Sequence, residues 1–426
     1  MDSMHAIRIS GGRQLRGSIP ISGAKNAALP LLCTTLLIDQ PLQIRRVPDL
    51  ADIRTLCSLL SQHGTRVEPG AAGQLTLTTP EILSPVAPYE LVSVMRASIL
   101  VLGPLLARHG CAEVALPGGC AIGSRPVDLH IRAMEALGAR VDVVAGNVVA
   151  TAPRGGLRAG CIQFPRVSVG ATENALMAAA LAKGTTRLEN AAREPEIVDL
   201  GELLQSMGVP IRGLGTSTIE IEGQTTLSGC DHSVVADRIE AGTFAVAALI
   251  TGGELFLEGA HAAHLGALLT LLQQAGAACE VLPGGIKVQG HASRPQGFDI
   301  VTGEYPGFPT DLQAPVMALA SVAEGCSSIT ETIFENRFRH IGELMRLGAD
   351  IQIRGNHATI RGQARLSGAR INGTDLRAAA ALVLAGLAAE GETHVTGLEY
   401  LDRGYERFEA KLCAVGAELR RVTVSG

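Results

Sequence analysis

The 426-residue chain has no tryptophan, and aromatic residues make up only 3% of it. Glycine and small aliphatic residues must therefore fill its interior, and the 46% hydrophobic content is ample for large cores. No run of lysines and arginines occurs, and the net charge is -5, which argues against a nucleic-acid-binding surface. No uncharged apolar stretch is long enough to span a bilayer. The stretch from Ala378 to Ala389, one of the longest, reads as a helix buried on every side. The opening Met-Asp-Ser-Met-His lacks a basic segment followed by an apolar core, so no signal peptide is expected. The nine cysteines are odd in number and widely spaced, without a Cys-x-x-Cys pair or a Cys/His cluster. Neither a disulfide framework nor a structural zinc site is expected, and a reducing cytoplasm fits this pattern.

What is present is a repeat. An amphipathic segment, then glycine plus a small residue, then an apolar/polar alternation recurs as AMEALGARVDV, LLQQAGAACEV and ELMRLGADIQI, among others. The glycines are Gly64, Gly138, Gly208, Gly276, Gly348 and Gly416, at spacings of 74, 70, 68, 72 and 68 residues. Glycine after a helical pattern is a helix stop, and the alternation after it predicts a strand. A second series runs in phase: small-residue, nearly all-apolar segments such as AKNAALPLLCTTLL, AGTFAVAALI and TDLRAAAALVLAGLAA. Each unit thus holds one buried helix, one surface helix and several strands. Six units predict two globular domains of three units each, with helices inside and sheets outside.

Polar residues gather where the buried helices begin: Lys25 and Asn26, Arg96, Thr172, Arg238 and Glu240, Thr310 and Asp311, Thr374 and Asp375. Helix N-termini present free N–H groups and partial positive charge, so several facing one cleft would attract phosphates. Taken alone, each of the two Thr-Asp pairs reads first as a helix cap. Lys25 and Arg96 sit against the positive end of a dipole and need a compensating anion. Cys120 lies in the glycine- and proline-rich segment Leu-Pro-Gly-Gly-Cys-Ala-Ile-Gly-Ser-Arg-Pro, which excludes regular structure. With Arg125 close by, its thiolate is favoured. A small apolar residue under a loop is the other reading of the same cysteine.

The segments ISGAKNAALP, MRASI, LPGGCAIGSRPVDLH, SVGATENALMAAA, DRIEAGTF, YPGFPTDLQAP, TETIFENRF, GTDLRAAAALVLAG and DRGYERFEAKL occur in one order from about residue 5 to 425. Together they resemble the enolpyruvyl transferase family, specifically the UDP-N-acetylglucosamine 1-carboxyvinyltransferases of peptidoglycan synthesis. The resemblance implies an α/β fold of two inside-out α/β domains, each of three βαβαββ repeats. It implies residues 1–24 with 236–426 as one discontinuous domain, residues 25–235 as the other, and an active site in the cleft between them. The implied reaction moves the enolpyruvyl group of phosphoenolpyruvate to the 3-hydroxyl of UDP-N-acetylglucosamine by addition and elimination, releasing phosphate. It needs no metal or cofactor. No membrane insertion is expected, and no protein partner is indicated.

By the same resemblance, Lys25, Arg125 and Arg403 contact the phosphate and carboxylate of the donor, and arginine can grip either anion bidentately. Asn26 and Arg96 line the site, and Arg337 lies near the reacting groups. Asp311 is the candidate base for the sugar hydroxyl, and Asp375 is a second carboxylate able to share proton transfer. Cys120 is the candidate acid toward the methylene carbon, the residue that forms an adduct with phosphoenolpyruvate and the target of the epoxide antibiotic fosfomycin. The nucleotide is expected along Arg125, Pro126, Val127, Asp128 and Leu129, with Arg166, Val167, Ser168, Val169 and Gly170 as a second wall and Ile333 nearby. Two positions depart from the family pattern: Arg166 stands where lysine is common, and Tyr400 where histidine is common. Two rival readings stay open: an enolpyruvyl transferase for another uridine nucleotide, and a non-catalytic sugar-nucleotide-binding homologue. The joint presence of Lys25, Cys120, Asp311 and Arg403 argues against the second. The shikimate-pathway enzyme shares fold and donor but is not expected to carry the LPGGCAIGSRPVDLH loop.

Overall fold

The computed structural model describes residues 4–71, 73–116, 127–291 and 293–424. Of the expected site residues, Cys120, Arg125 and Pro126 lie outside the described residues. The described chain divides into two compact units: residues 4–22 with 236–424, and residues 23–235. Each has its own hydrophobic core.

The repeat glycines do the same work six times. Gly64, Gly138, Gly208, Gly276, Gly348 and Gly416 all adopt positive φ, between 89° and 108°. Each donates its N–H to the carbonyl three residues back, and the next residue donates to the carbonyl five back, as in Gly276 to Gln273 and Ala277 to Leu272. This Schellman pattern satisfies the last carbonyls of the helix and turns the chain into a strand. The left-handed conformation is why glycine recurs there.

Among the described residues the β-structure forms six four-stranded sheets of one plan, each with one parallel pair and two antiparallel pairs. In the unit containing the C-terminus, for example, strand Asp299–Val301 leads through the buried helix Gln313–Val322 to its parallel neighbour Cys326–Thr330. The surface helix Ile341–Arg346 and the hairpin Asp350–Arg354 and His357–Arg361 complete the unit. This is the expected βαβαββ repeat. Residues alternate along His357–Arg361 between buried and solvent-facing positions, so one sheet face covers the helices and the other meets water.

The buried helices are apolar all round because they lie inside. Every residue of Gln313–Val322, and every residue after Arg238 in Arg238–Ile250, is buried. In this unit they pack on each other and on Leu376–Ala388. In the other unit Leu102–His109 packs on Val169–Ala179. There a Cβ at Gly103 would come within 2.6 Å of the Asn174 carbonyl oxygen, so only glycine permits that approach. No helix among the described residues is long and apolar enough to cross a membrane.

Two sheets borrow an edge strand. Arg16–Pro20 pairs in parallel with Glu254–Glu258, and Asp231–Ser233 pairs in parallel with Leu42–Arg45. In the other four sheets the parallel pair flanks its own buried helix in sequence; here the two edge strands have exchanged places. A buried carboxylate ties each crossing segment to its own unit. Glu240 accepts from the Ser22 N–H at 2.7 Å, and Asp199 accepts from the Val235 N–H at 3.1 Å.

Candidate functional site

In the unit that contains the C-terminus, Asp311 lies in the short 3-10 turn Thr310–Leu312 that opens the buried helix Gln313–Val322. It does not cap that helix. One oxygen accepts from Arg337 Nη2 at 2.9 Å, and the other from Arg377 Nε and Nη2 at 3.1 and 2.9 Å. Both guanidinium groups are almost wholly buried, whereas a quarter of the Asp311 side chain stays accessible. Each arginine rests on a ring: Arg337 lies 5.5 Å from the Phe334 centroid and Arg377 lies 5.2 Å from that of Tyr405. Burial opposes the Arg377 charge, but Tyr405, Asp311 and Asp237 more than offset it and push its pKa above the ordinary value. Arg337 Nη1 and Arg377 Nη1 are buried without a hydrogen-bond partner among the described residues.

Asp375 behaves differently. It is the N-cap of the helix Leu376–Ala388, and its Oδ1 accepts from the Arg377 and Ala378 N–H groups at 3.0 Å. The two Thr-Asp pairs are therefore equivalent in the repeat but not in bonding. Arg403 follows the short helix Leu398–Leu401 and is half-buried. The neighbouring Asp402 carboxylate is engaged by Arg421. Ile333 is half-buried in the segment after strand Cys326–Thr330, and its N–H donates to Glu331 at 2.8 Å. Sequence reasoning missed Arg377, although it stands two residues after Asp375 in the repeat; its place beside Asp311, 66 positions earlier in the chain, is set by helix packing.

In the other unit, Lys25 is the first residue of the buried helix Lys25–Cys33 and is 9% exposed. Its Nζ pairs with Asp52 at 3.2 Å, from the first turn of the surface helix Ala51–Gln62. The anion that a lysine at a positive helix end needs is thus supplied, at least in part, by the chain itself. Asn26 is half-buried beside it, and Arg96 is half-buried at the start of the 3-10 helix Arg96–Val101.

Some of the expected nucleotide-contacting residues of this unit meet one another. Asp128 opens the helix Asp128–Ala136, and both of its oxygens accept from Arg166 Nη2, at 2.8 and 3.1 Å. Ser168 caps the helix Val169–Ala179, accepting from the Ala171 N–H at 3.3 Å, with Val167 half-buried just before it. A Cβ on Gly170 would sit 3.2 Å from the His130 ring, so glycine there lets two helix starts touch. The His130 ring also bonds Asn174 at 2.9 Å. Val127 is 8% exposed and Leu129 is 4% exposed, so the Leu129 side chain is spent on the core. Burial first, and then the charge of Arg96, lower the His130 pKa to about 4 from an ordinary 6.5.

That histidine makes stability depend on acid. Between pH 6.5 and 4 the unfolded chain binds the proton that folded His130 refuses. Its contribution is therefore whole above pH 6.5 and is lost as pH falls toward 4. His340, in the other unit, shifts in the same direction, again through burial first. We expect the stability gap between the wild type and His130→Gln, followed by thermal melting, to narrow on going from pH 7 to pH 4.5. The narrowing is of order 1–3 kcal/mol. A gap that stays constant or widens would refute a neutral buried His130.

Among the described residues, no group of three or more His, Cys, Asp and Glu side chains could hold a metal ion. A family model described as EPSP synthase (3-phosphoshikimate 1-carboxyvinyltransferase) matches residues 9–412. The UDP-N-acetylglucosamine 1-carboxyvinyltransferase of Rhodospirillum centenum is 54% identical to the chain, covering 98% of it and 99% of the relative. The protein of the same name from Maricaulis maris is 55% identical, again covering 98% and 99%. The enolpyruvyl transferase NikO from Streptomyces tendae is similar in structure, with a TM-score of 0.87 at 24% identity over 99% of this chain and all of that one. EPSP synthase from Acinetobacter baumannii follows at 0.77 and 18%, with the same coverage. These two solved structures speak to the fold alone. The sequence relatives go further: the chain belongs to the enolpyruvyl transferase family and, within it, stands with the UDP-N-acetylglucosamine 1-carboxyvinyltransferases.

Proposed function

We propose that the chain transfers the enolpyruvyl group of phosphoenolpyruvate to the 3-hydroxyl of UDP-N-acetylglucosamine and releases phosphate, the first committed step of peptidoglycan synthesis. The observation that carries the reading is identity above half, along nearly the whole chain, to relatives that bear this enzyme's name. The Asp311 cluster supports it chemically. A partly accessible carboxylate is aimed by two buried guanidinium groups, and each of these keeps its Nη1 without a partner among the described residues. Such a group can accept a proton from a hydroxyl brought within reach, while the spare donors meet nearby oxygens.

The proposed roles follow the chemistry. Cys120 gives a proton to the methylene carbon of phosphoenolpyruvate, and positive character develops at the adjoining carbon. The sugar oxygen attacks that carbon as Asp311 takes the hydroxyl proton, which forms a tetrahedral ketal. The bond from that carbon to the phosphate oxygen then breaks, phosphate leaves with the proton that Asp311 took, and the Cys120 thiolate takes back a methyl proton, which restores the double bond and the thiol. Lys25, Arg125 and Arg403 hold the two anionic groups of the donor, while Asn26, Arg96 and Arg337 line the site. Asp375 is left mainly a helix cap. Residues 125–129 and 166–170, with Ile333, hold the nucleotide; for Leu129 this contact would run through the backbone. No electron transfer or metal enters the scheme. A cytoplasmic location is part of the proposal, in keeping with the cysteine pattern. The test is release of inorganic phosphate, which should require both substrates together.

A further inference from the structure

The 3-10 turn that holds Asp311 and the segment that holds Ile333 are both short, and one buried side chain bonds to both. Glu331, 3% exposed, follows the strand Cys326–Thr330. Its Oε2 accepts from Thr310 Oγ1 at 2.8 Å, beside Asp311. Its Oε1 accepts from the N–H groups of Ile333 and Phe334 at 2.8 and 3.2 Å, and from Thr302 Oγ1 at 2.9 Å. Its own backbone is pinned twice by Asn356, at 2.8 Å through the Glu331 N–H and 3.0 Å through its carbonyl. The hydrogen-bond partners of the carboxylate are thus two hydroxyls and two backbone amides. A buried carboxylate so placed is costly as mere filling, and it can earn retention by fixing geometry.

These bonds close a ring. Glu331 holds Thr310, whose neighbour Asp311 accepts from Arg337; Arg337 lies on the Phe334 ring; and the Phe334 N–H returns to Glu331. We propose that Glu331 is a positioning residue: its carboxylate fixes the Asp311 turn against the Ile333 segment. The base and the sugar-nucleotide contact are thereby set at one mutual distance. This inference rests on the functional reading above. Small misplacements of reacting groups carry large rate penalties, so the two arms of the carboxylate should be separable kinetically.

The test uses the full chain with Thr310→Val, Glu331→Ala and Glu331→Gln, steady-state kinetics in both substrates, and thermal melting. T310V cuts only the Asp311 arm: kcat should fall about tenfold, with both KM values within about threefold of wild type. E331A cuts both arms: kcat should fall at least as far, and KM for UDP-N-acetylglucosamine should rise about tenfold while that for phosphoenolpyruvate holds. E331Q keeps one acceptor oxygen and should recover most of the loss. If E331A does not fold, T310V decides alone. Wild-type kcat in folded T310V, or equal rises in both KM values of E331A, would overturn the positioning role while leaving the enzyme reading intact. A wild-type chain without turnover would overturn the reading and this inference with it.

Discussion

Asp311→Asn is expected to lower phosphate release by about a thousandfold while UDP-N-acetylglucosamine binding stays within about tenfold. Asparagine keeps the shape of aspartate but not its two acceptor oxygens. One guanidinium, Arg337 or Arg377, keeps its oxygen; the other meets an amide NH2 that cannot accept. Both arginines are buried, so part of the cost appears in stability and has to be measured by melting. The two effects separate in the kinetics. Loss of a base removes the acid limb of the kcat profile. Displacement of the arginines alone would leave that limb in place and raise KM. Asp375→Asn is the comparator. Its carboxylate caps a helix, asparagine caps nearly as well, and the rate loss should be much smaller. An Asp311→Asn variant that keeps a tenth of wild-type turnover would remove Asp311 from proton transfer.

Fosfomycin is expected to abolish turnover and to add to Cys120 alone. The cysteine sulfur attacks an epoxide carbon, the ring C–O bond opens, and the new alkoxide takes a proton. The protein therefore gains the whole reagent mass. The other thiols make the selectivity a strict test. Burial pushes the Cys33 thiol far up, those of Cys57 and Cys230 to about 11, and that of Cys279 upward. These four stay protonated at neutral pH and react slowly. Cys161, Cys326 and Cys413 are exposed, so an unselective reagent would label them first. Cys120→Ala should prevent the adduct and, by removing the acid, cost about a hundredfold to ten-thousandfold in kcat. Peptide mass spectrometry reads the position. An adduct on any other cysteine, with Cys120 unmodified and activity lost, would refute the assignment.

The repeat was legible because it is written in the two strongest local signals. Glycine marks the six left-handed helix stops, and helices apolar on all faces mark the inside. The exchange of the edge strands Arg16–Pro20 and Asp231–Ser233 was not legible from local pattern, since a strand reads alike whichever sheet it joins. In the site, Asp311 and Asp375 look the same in sequence. Only packing shows that one is aimed by Arg337 and Arg377 and the other caps a helix. Asp52 escaped notice because an acidic residue in the first turn of a surface helix is ordinary. Its pairing with Lys25 needs the meeting of two helices. Glu331 escaped for the same reason: its partners Thr302 and Thr310 lie 29 and 21 positions earlier, and only folding brings them to it. Arg166 uses one Nη to reach both oxygens of Asp128.

The central claim is transfer between two named substrates, and phosphate release measures it most directly. The purified chain should release about one phosphate per phosphoenolpyruvate consumed when UDP-N-acetylglucosamine is present. With either substrate omitted, or with uridine monophosphate in place of the sugar nucleotide, it should release none. Sustained release with uridine monophosphate would mean that the acceptor is a different uridine nucleotide, and no release with both substrates would contradict the account outright.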